Sequence, residues 1–167
     1  MNLLGAPEES RLARTIRRLI ELLAFAASAI APPLSRIALA LPFIRSGFTR
    51  WDGFLSLSAG TTYLFEESFK LHVFGSVYDL PAPDFLALLV AVAEIMLPIM
   101  LVFGFATRLA ALALLVMTGV IQLIFPEGWA NFNLYWAALA IAVIAFGPGK
   151  LSIDHLLDVW LRRSRSR

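Results

Sequence analysis

The sequence has no cysteine and two histidines, His72 and His155, among its 167 residues. The first absence excludes disulfides, thiolate metal sites, iron–sulfur clusters and a cysteine nucleophile. The second leaves no pair of imidazoles for a haem inside a helix bundle, since both histidines sit in polar segments. A redox cofactor would therefore be borrowed or diffusible. Charge is also scarce, at 16% Asp, Glu, Lys and Arg against roughly 25% in ordinary domains. Disorder and coiled coils need more charge than that, and neither a heptad nor a Gly-X-Y period is present. What the chain has instead is apolar surface. Its hydrophobic fraction is 59% and its mean hydropathy +0.78, more than a soluble domain of this length can bury. The composition is that of an integral membrane protein.

A bilayer core about 30 Å thick asks for roughly 17–25 mainly apolar residues per helix. Four stretches qualify. The first starts at Leu34, after a break expected at Pro32-Pro33, and runs to Gly47, continuing less surely into Trp51 and GFLSLSAG. The second runs from Phe85 to Ala106 with Glu94 as its one charge, and the third from Leu109 to Phe125 with none. The fourth opens near Trp129 or Asn131 and stops at Gly147-Pro148-Gly149. The short Thr107-Arg108 link makes the second and third spans an antiparallel hairpin. Such runs cross lipid as helices, so the expected fold is all-α, a four-helix transmembrane bundle. Before it, Arg11, Arg14, Arg17 and Arg18 precede an apolar run to Ala31. That pattern resembles a signal peptide, but an amphipathic helix lying on the membrane surface suits it better. The expected parts are residues 1–33 with this helix, a membrane domain over 34–150, and a basic tail over 151–167.

Basic residues set the orientation. They cluster before the first span, at Arg108, and after the fourth at Lys150, Arg162, Arg163, Arg165 and Arg167, whereas Arg50 and Lys70 alone lie on the other side. The positive-inside rule then places both termini in the cytoplasm, with the acidic loop Trp51–Asp84 outside. The basic tail reads as a lipid anchor, and nucleic acid is not an expected partner.

The chemistry should lie where lipid ought to reject a side chain. A charge at the centre of a span costs roughly 2.5–3.5 kcal/mol, so Arg45 and Glu94 need partners. Arg45 stands eleven residues past Leu34 and Glu94 ten past Asp84, about 16 and 15 Å into the core. An Arg45–Glu94 pair near the midplane is the natural expectation. Ser46, Thr118, Gln122, Asn131 and Asn133 could extend it into a polar layer, or each could be a plain interhelical hydrogen bond. Arg36, two residues into its span, should snorkel to the headgroups. Arg108 should bind lipid phosphate or cap the second span. Glu66, Glu67 and His72 match no metal-ligand spacing, so no metal site is expected.

These residues resemble the DoxX family of small four-helix bacterial membrane proteins. LSRIALALPFIRSGFTRWDGF is similar to its first span, with Ser46-Gly47 and Arg50 as its S-G-x-x-[KR] element. AVAEIMLPIMLVFGFATRLAAL is similar to its glutamate-bearing second span and T-R hairpin, and GPGKLSIDHLL to its ending. The resemblance marks Arg36, Arg45, Ser46, Glu94, Arg108 and Asp154 as recurrent positions. It implies a membrane subunit or accessory protein of thiosulfate:quinone oxidoreduction, of thiol-stress complexes, or of metal-responsive peptide maturation. A subgroup tied to that last role has histidine before the final span; Asn133 stands here and counts against a histidine-dependent metal role. The expected function is an accessory or quinone-interacting subunit with no covalently bound cofactor, working with a protein partner or as a homo-oligomer. The alternative is a small-solute or metallophore transporter.

Overall fold

The computed structural model describes residues 11–165. The chain divides between Ala31 and Pro32 into two units. In the first, residues 11–31 are helical and exposed throughout. Leu12, Ile16, Leu19, Ile20 and Leu23 repeat on one face, and Arg14, Arg18 and Glu21 fall on another, so the helix is amphipathic. The break expected at Pro32-Pro33 does not occur: α1 runs over Arg11–Thr49 with both prolines inside it. Each proline removes a single backbone donor, and the Ser35 hydroxyl donates to the Pro32 carbonyl at 3.0 Å.

The second unit is a bundle of membrane-spanning helices. It contains the later part of α1, then α3 (Pro83–Phe103), α4 (Thr107–Ile124) and α5 (Leu134–Phe146). A 3₁₀ turn at Pro126–Gly128 and a π turn at Trp129–Asn133 lead into α5. α3, α4 and the segment Pro126–Phe146 are each long and apolar enough to cross a bilayer. Their shared core is Leu39, Ala40 and Phe43 of α1 with Leu101, Ala110, Ala111, Leu114, Ala140 and Val143. Alanine at so many of these positions lets the backbones approach closely, which is how helices gain packing energy in lipid. Phe43 stacks on Trp136 with ring centroids 5.2 Å apart.

The first span departs from a simple helix. Where α1 reaches Gly47 it passes so close to α3 that a Cβ there would lie 3.0 Å from the Glu94 carbonyl. Glu94 is eleven residues beyond Pro83 and ten before Gly104, about 15–16 Å from either end of α3. Helix α1 therefore stops at Thr49 near half depth. A hairpin follows, β1 (Trp51–Gly53) paired with β2 (Ser56–Leu57), then α2 (Ala59–Tyr63) and a π turn at Leu64–Ser68. α2 and this π turn pack on α3. Ser58 caps α2, accepting from the Thr61 N–H at 3.1 Å. A second hairpin, β3 (Lys70–Val73) with β4 (Ser76–Asp79), packs on α4 at the Pro83 end. Neither hairpin was expected from the sequence.

At the opposite end α3 closes on Gly104, whose φ of +68° carries the chain into α4. Helix α6 (Ile153–Arg165) docks there, within the segment expected as a tail. The Asp154 carboxylate accepts from Ala106 N–H at 2.8 Å and Thr107 N–H at 2.9 Å, and its own N–H donates to the Gly104 carbonyl at 2.9 Å. It caps α4 from a different helix. Asp154→Ala should lower stability by about 0.5–2 kcal/mol, as loss of a cap does, read as a fall in the detergent melting midpoint.

Candidate intramembrane site

Glu94 is buried on α3, with its side chain 4% exposed. Its partner is Arg50, not Arg45. Arg50 Nε donates to Oε2 at 3.0 Å and Nη2 to Oε1 at 3.3 Å, the two-pronged fit of guanidinium to carboxylate. Ser46 Oγ, 3.1 Å from both carboxylate oxygens, donates its hydroxyl proton to the carboxylate and adds a third donor group beside the two guanidinium nitrogens. Ser46 and Arg50 can converge because a spacing of four puts them on one helical face. Arg45 belongs to the opposite stripe, exposed with Leu34, Ile37, Leu41 and Phe48. The error lay in matching Arg45 to Glu94 by depth alone: Arg45 faces away, and Arg50, expected on the outer side, is the residue that reaches the carboxylate. The Arg50 guanidinium also sits 5.5 Å from the Phe65 ring centroid, a cation–π contact.

Against this cluster lies a cavity of about 300 Å³, lined by Ser46, Arg50 and Glu94 and otherwise by apolar side chains. Phe65 and Phe69 come from the π turn and its end, Leu86 and Val90 from α3, Ile121 from α4, and Trp136 from α5. Arg50 Nη1 takes no part in the bonds to Glu94 and Ser46 and remains available as a donor.

The other expected members of the polar layer lie elsewhere. Thr118 is buried but donates to the Leu114 carbonyl of its own helix at 2.8 Å. Asn133 Nδ2 donates to Gln122 Oε1 at 2.7 Å, tying the entry of α5 to α4, and Gln122 in turn donates to the Pro126 carbonyl. Asn131 is exposed and donates to the Glu127 carbonyl at 3.2 Å. None of the four lines the cavity. Arg36 does not snorkel. It is 2% exposed, wedged against Gly104, with Nη2 donating to the Leu151 carbonyl at 2.6 Å while Nε and Nη1 have no partner. Arg108 is exposed beside Gly147. In α6, the hydrogen bond from Arg162 to Asp158 and that carboxylate's charge raise the guanidinium above its ordinary pKa.

The sequence model of the DoxX family matches residues 31–127, more than half of the chain. The chain belongs to the DoxX family. The match takes in Arg36, Ser46, Arg50, Glu94 and Arg108, and stops short of the Gly147–Asp154 ending. No curated protein and no solved structure matches it. As a DoxX protein the chain is a multi-pass membrane protein, and the Arg50–Glu94 pair lies inside its family domain.

Proposed function

We propose that this DoxX protein is a membrane subunit that holds a quinone ring in the cavity beside Arg50 and Glu94, for a redox partner in the bacterial inner membrane. One observation carries the reading: an apolar cavity of about 300 Å³ whose polar side chains, apart from the Trp136 indole, are one ion pair and one serine. Ligand sites of this kind are mostly apolar with a few placed polar groups, and a substituted quinone ring fits the volume. The quinone supplies the redox chemistry. The chain supplies position: Arg50 Nη1 can donate to a ring carbonyl, Glu94 holds the guanidinium in place, and the aromatic walls keep water out. The basic residues around Arg11–Arg18 and in α6 support placing both termini in the cytoplasm.

Purification in mild detergent followed by organic extraction tests the reading. Quinone is expected near one per chain, falling at least tenfold in Glu94→Gln. Extracts free of quinone, from protein that still melts cooperatively, would sink it. The interrupted first span favours a second reading, because transporters place solute sites where helices break at half depth. A bound polar solute in the same preparation would select it.

A further inference from the structure

A second cavity, of about 680 Å³, lies where α4 begins, between its first turn, the Pro148–Lys150 loop and α6. Three cations line it: Arg108 from α4, Lys150 from the loop and Arg162 from α6. Its two carboxylates are already engaged. Asp154 caps α4, and Asp158 accepts from Arg162 at 2.9 Å. Among the described residues Arg108 and Lys150 form no ion pair. With His155 neutral, the wall therefore carries a surplus of one positive charge. Gly147, at φ +77°, leaves the Arg108 guanidinium its place, since a Cβ there would lie 3.2 Å from Nη2. Thr107 borders the cavity too, buried, and its hydroxyl has no hydrogen-bond partner.

The level of this cavity identifies its occupant. α4 has 18 residues, about 27 Å at 1.5 Å each, close to the bilayer core of about 30 Å. Arg108, its second residue, stands at the headgroup level. From there Leu109, Leu112, Val116 and Val120 run along α4 as an exposed apolar stripe, and Leu109 itself borders the cavity. Cations at one end and an apolar track leading away from them match the phosphate and an acyl chain of one phospholipid. A free anion would use the cations and leave the track bare. Charge then selects among phospholipids. A zwitterionic headgroup brings an ammonium, and both carboxylates here already have their donors. A lipid with a neutral glycerol headgroup brings one negative charge against the surplus of one. We infer that the cavity holds the phosphate of an anionic phospholipid of the phosphatidylglycerol class, with Arg108 and Lys150 as its ligands and α4 as the track for its tail. The inference goes beyond the quinone reading and does not depend on it.

Native mass spectrometry of the purified chain in detergent tests this, with dioleoylphosphatidylglycerol, dioleoylphosphatidylethanolamine or inorganic phosphate added singly. Phosphatidylglycerol should bind at one per chain, at least tenfold more tightly than either other probe, and excess inorganic phosphate should not displace it. Arg108→Gln with Lys150→Gln should weaken that binding at least tenfold, as loss of two charge-assisted contacts does. Arg163→Gln with Arg165→Gln removes as much charge from α6 outside the cavity and should leave binding unchanged. The proposal is overturned if the ethanolamine lipid binds as tightly, if inorganic phosphate displaces the lipid, or if the two double variants behave alike. Should the Arg108 and Lys150 variant fail to accumulate, the preference of the unaltered chain among the three probes decides the matter by itself.

Discussion

Arg50→Leu and Glu94→Leu are each expected to cost the folded protein about 3–5 kcal/mol, because either change strands a buried charge. The double substitution should recover much of that loss, since it removes both charges from lipid together. The measurement is a double-mutant cycle on melting in detergent and on abundance in the membrane. Arg45→Leu should show no coupling to Glu94→Leu, as Arg45 faces away from the pair. If the Arg50 and Glu94 losses merely add, the bond seen between them contributes nothing to holding α1 against α3. Arg50→Lys should fall between, keeping the charge and losing the two-pronged fit.

Gly104→Ala is expected to be the most damaging single-methyl change in the bundle. At φ +68° a side chain costs about 1–2 kcal/mol in backbone strain alone. The added Cβ would also fall on Arg36 Nη1 and within 2.5 Å of Ser152 Cβ, and overpacking of that kind costs about 1–3 kcal/mol more. Neither neighbour can yield easily, since Arg36 is held by the Leu151 carbonyl and Ser152 donates to the Gly149 carbonyl. Gly119→Ala is the control. It lies within α4 with no atom within 4 Å of the new methyl, so the better helix propensity of alanine should leave stability unchanged or higher. Equal melting of the two variants would contradict the tight closure at Gly104.

The contrast between Glu94 and Arg36 explains what the sequence could reveal. Glu94 sits in an unbroken apolar run, where counting residues measures position along the helix, and its place halfway along α3 was legible. Arg36 was placed by the same count at a headgroup level, yet it is buried because Gly104, Leu151 and Ser152, distant in sequence, fold over it. Residue counting cannot see such a cover. Arg50 was within reach, since its spacing of four from Ser46 was visible in the Ser46-Gly47-Arg50 element. It was passed over because hydropathy fades after Gly47, and a fading signal looks like a membrane boundary. The chain instead leaves helical geometry there while still at depth. Thr118 shows the converse: a polar residue in an apolar run drew attention, but its hydroxyl is satisfied one turn back and needs nothing from its neighbours.

The cap that Asp154 provides has a consequence for the order in which this protein is made. Two N–H groups at the start of α4 take their acceptor from a residue 47 and 48 positions later in the chain. While the nascent chain emerges, the turn between α3 and α4 can enter the membrane, but those donors must make do with water or headgroups until α6 arrives. A helix that leaves the ribosome well after α4 thus closes a junction laid down much earlier. A chain cut short before Asp154 would keep its spans and leave the turn that joins α3 to α4 unfinished.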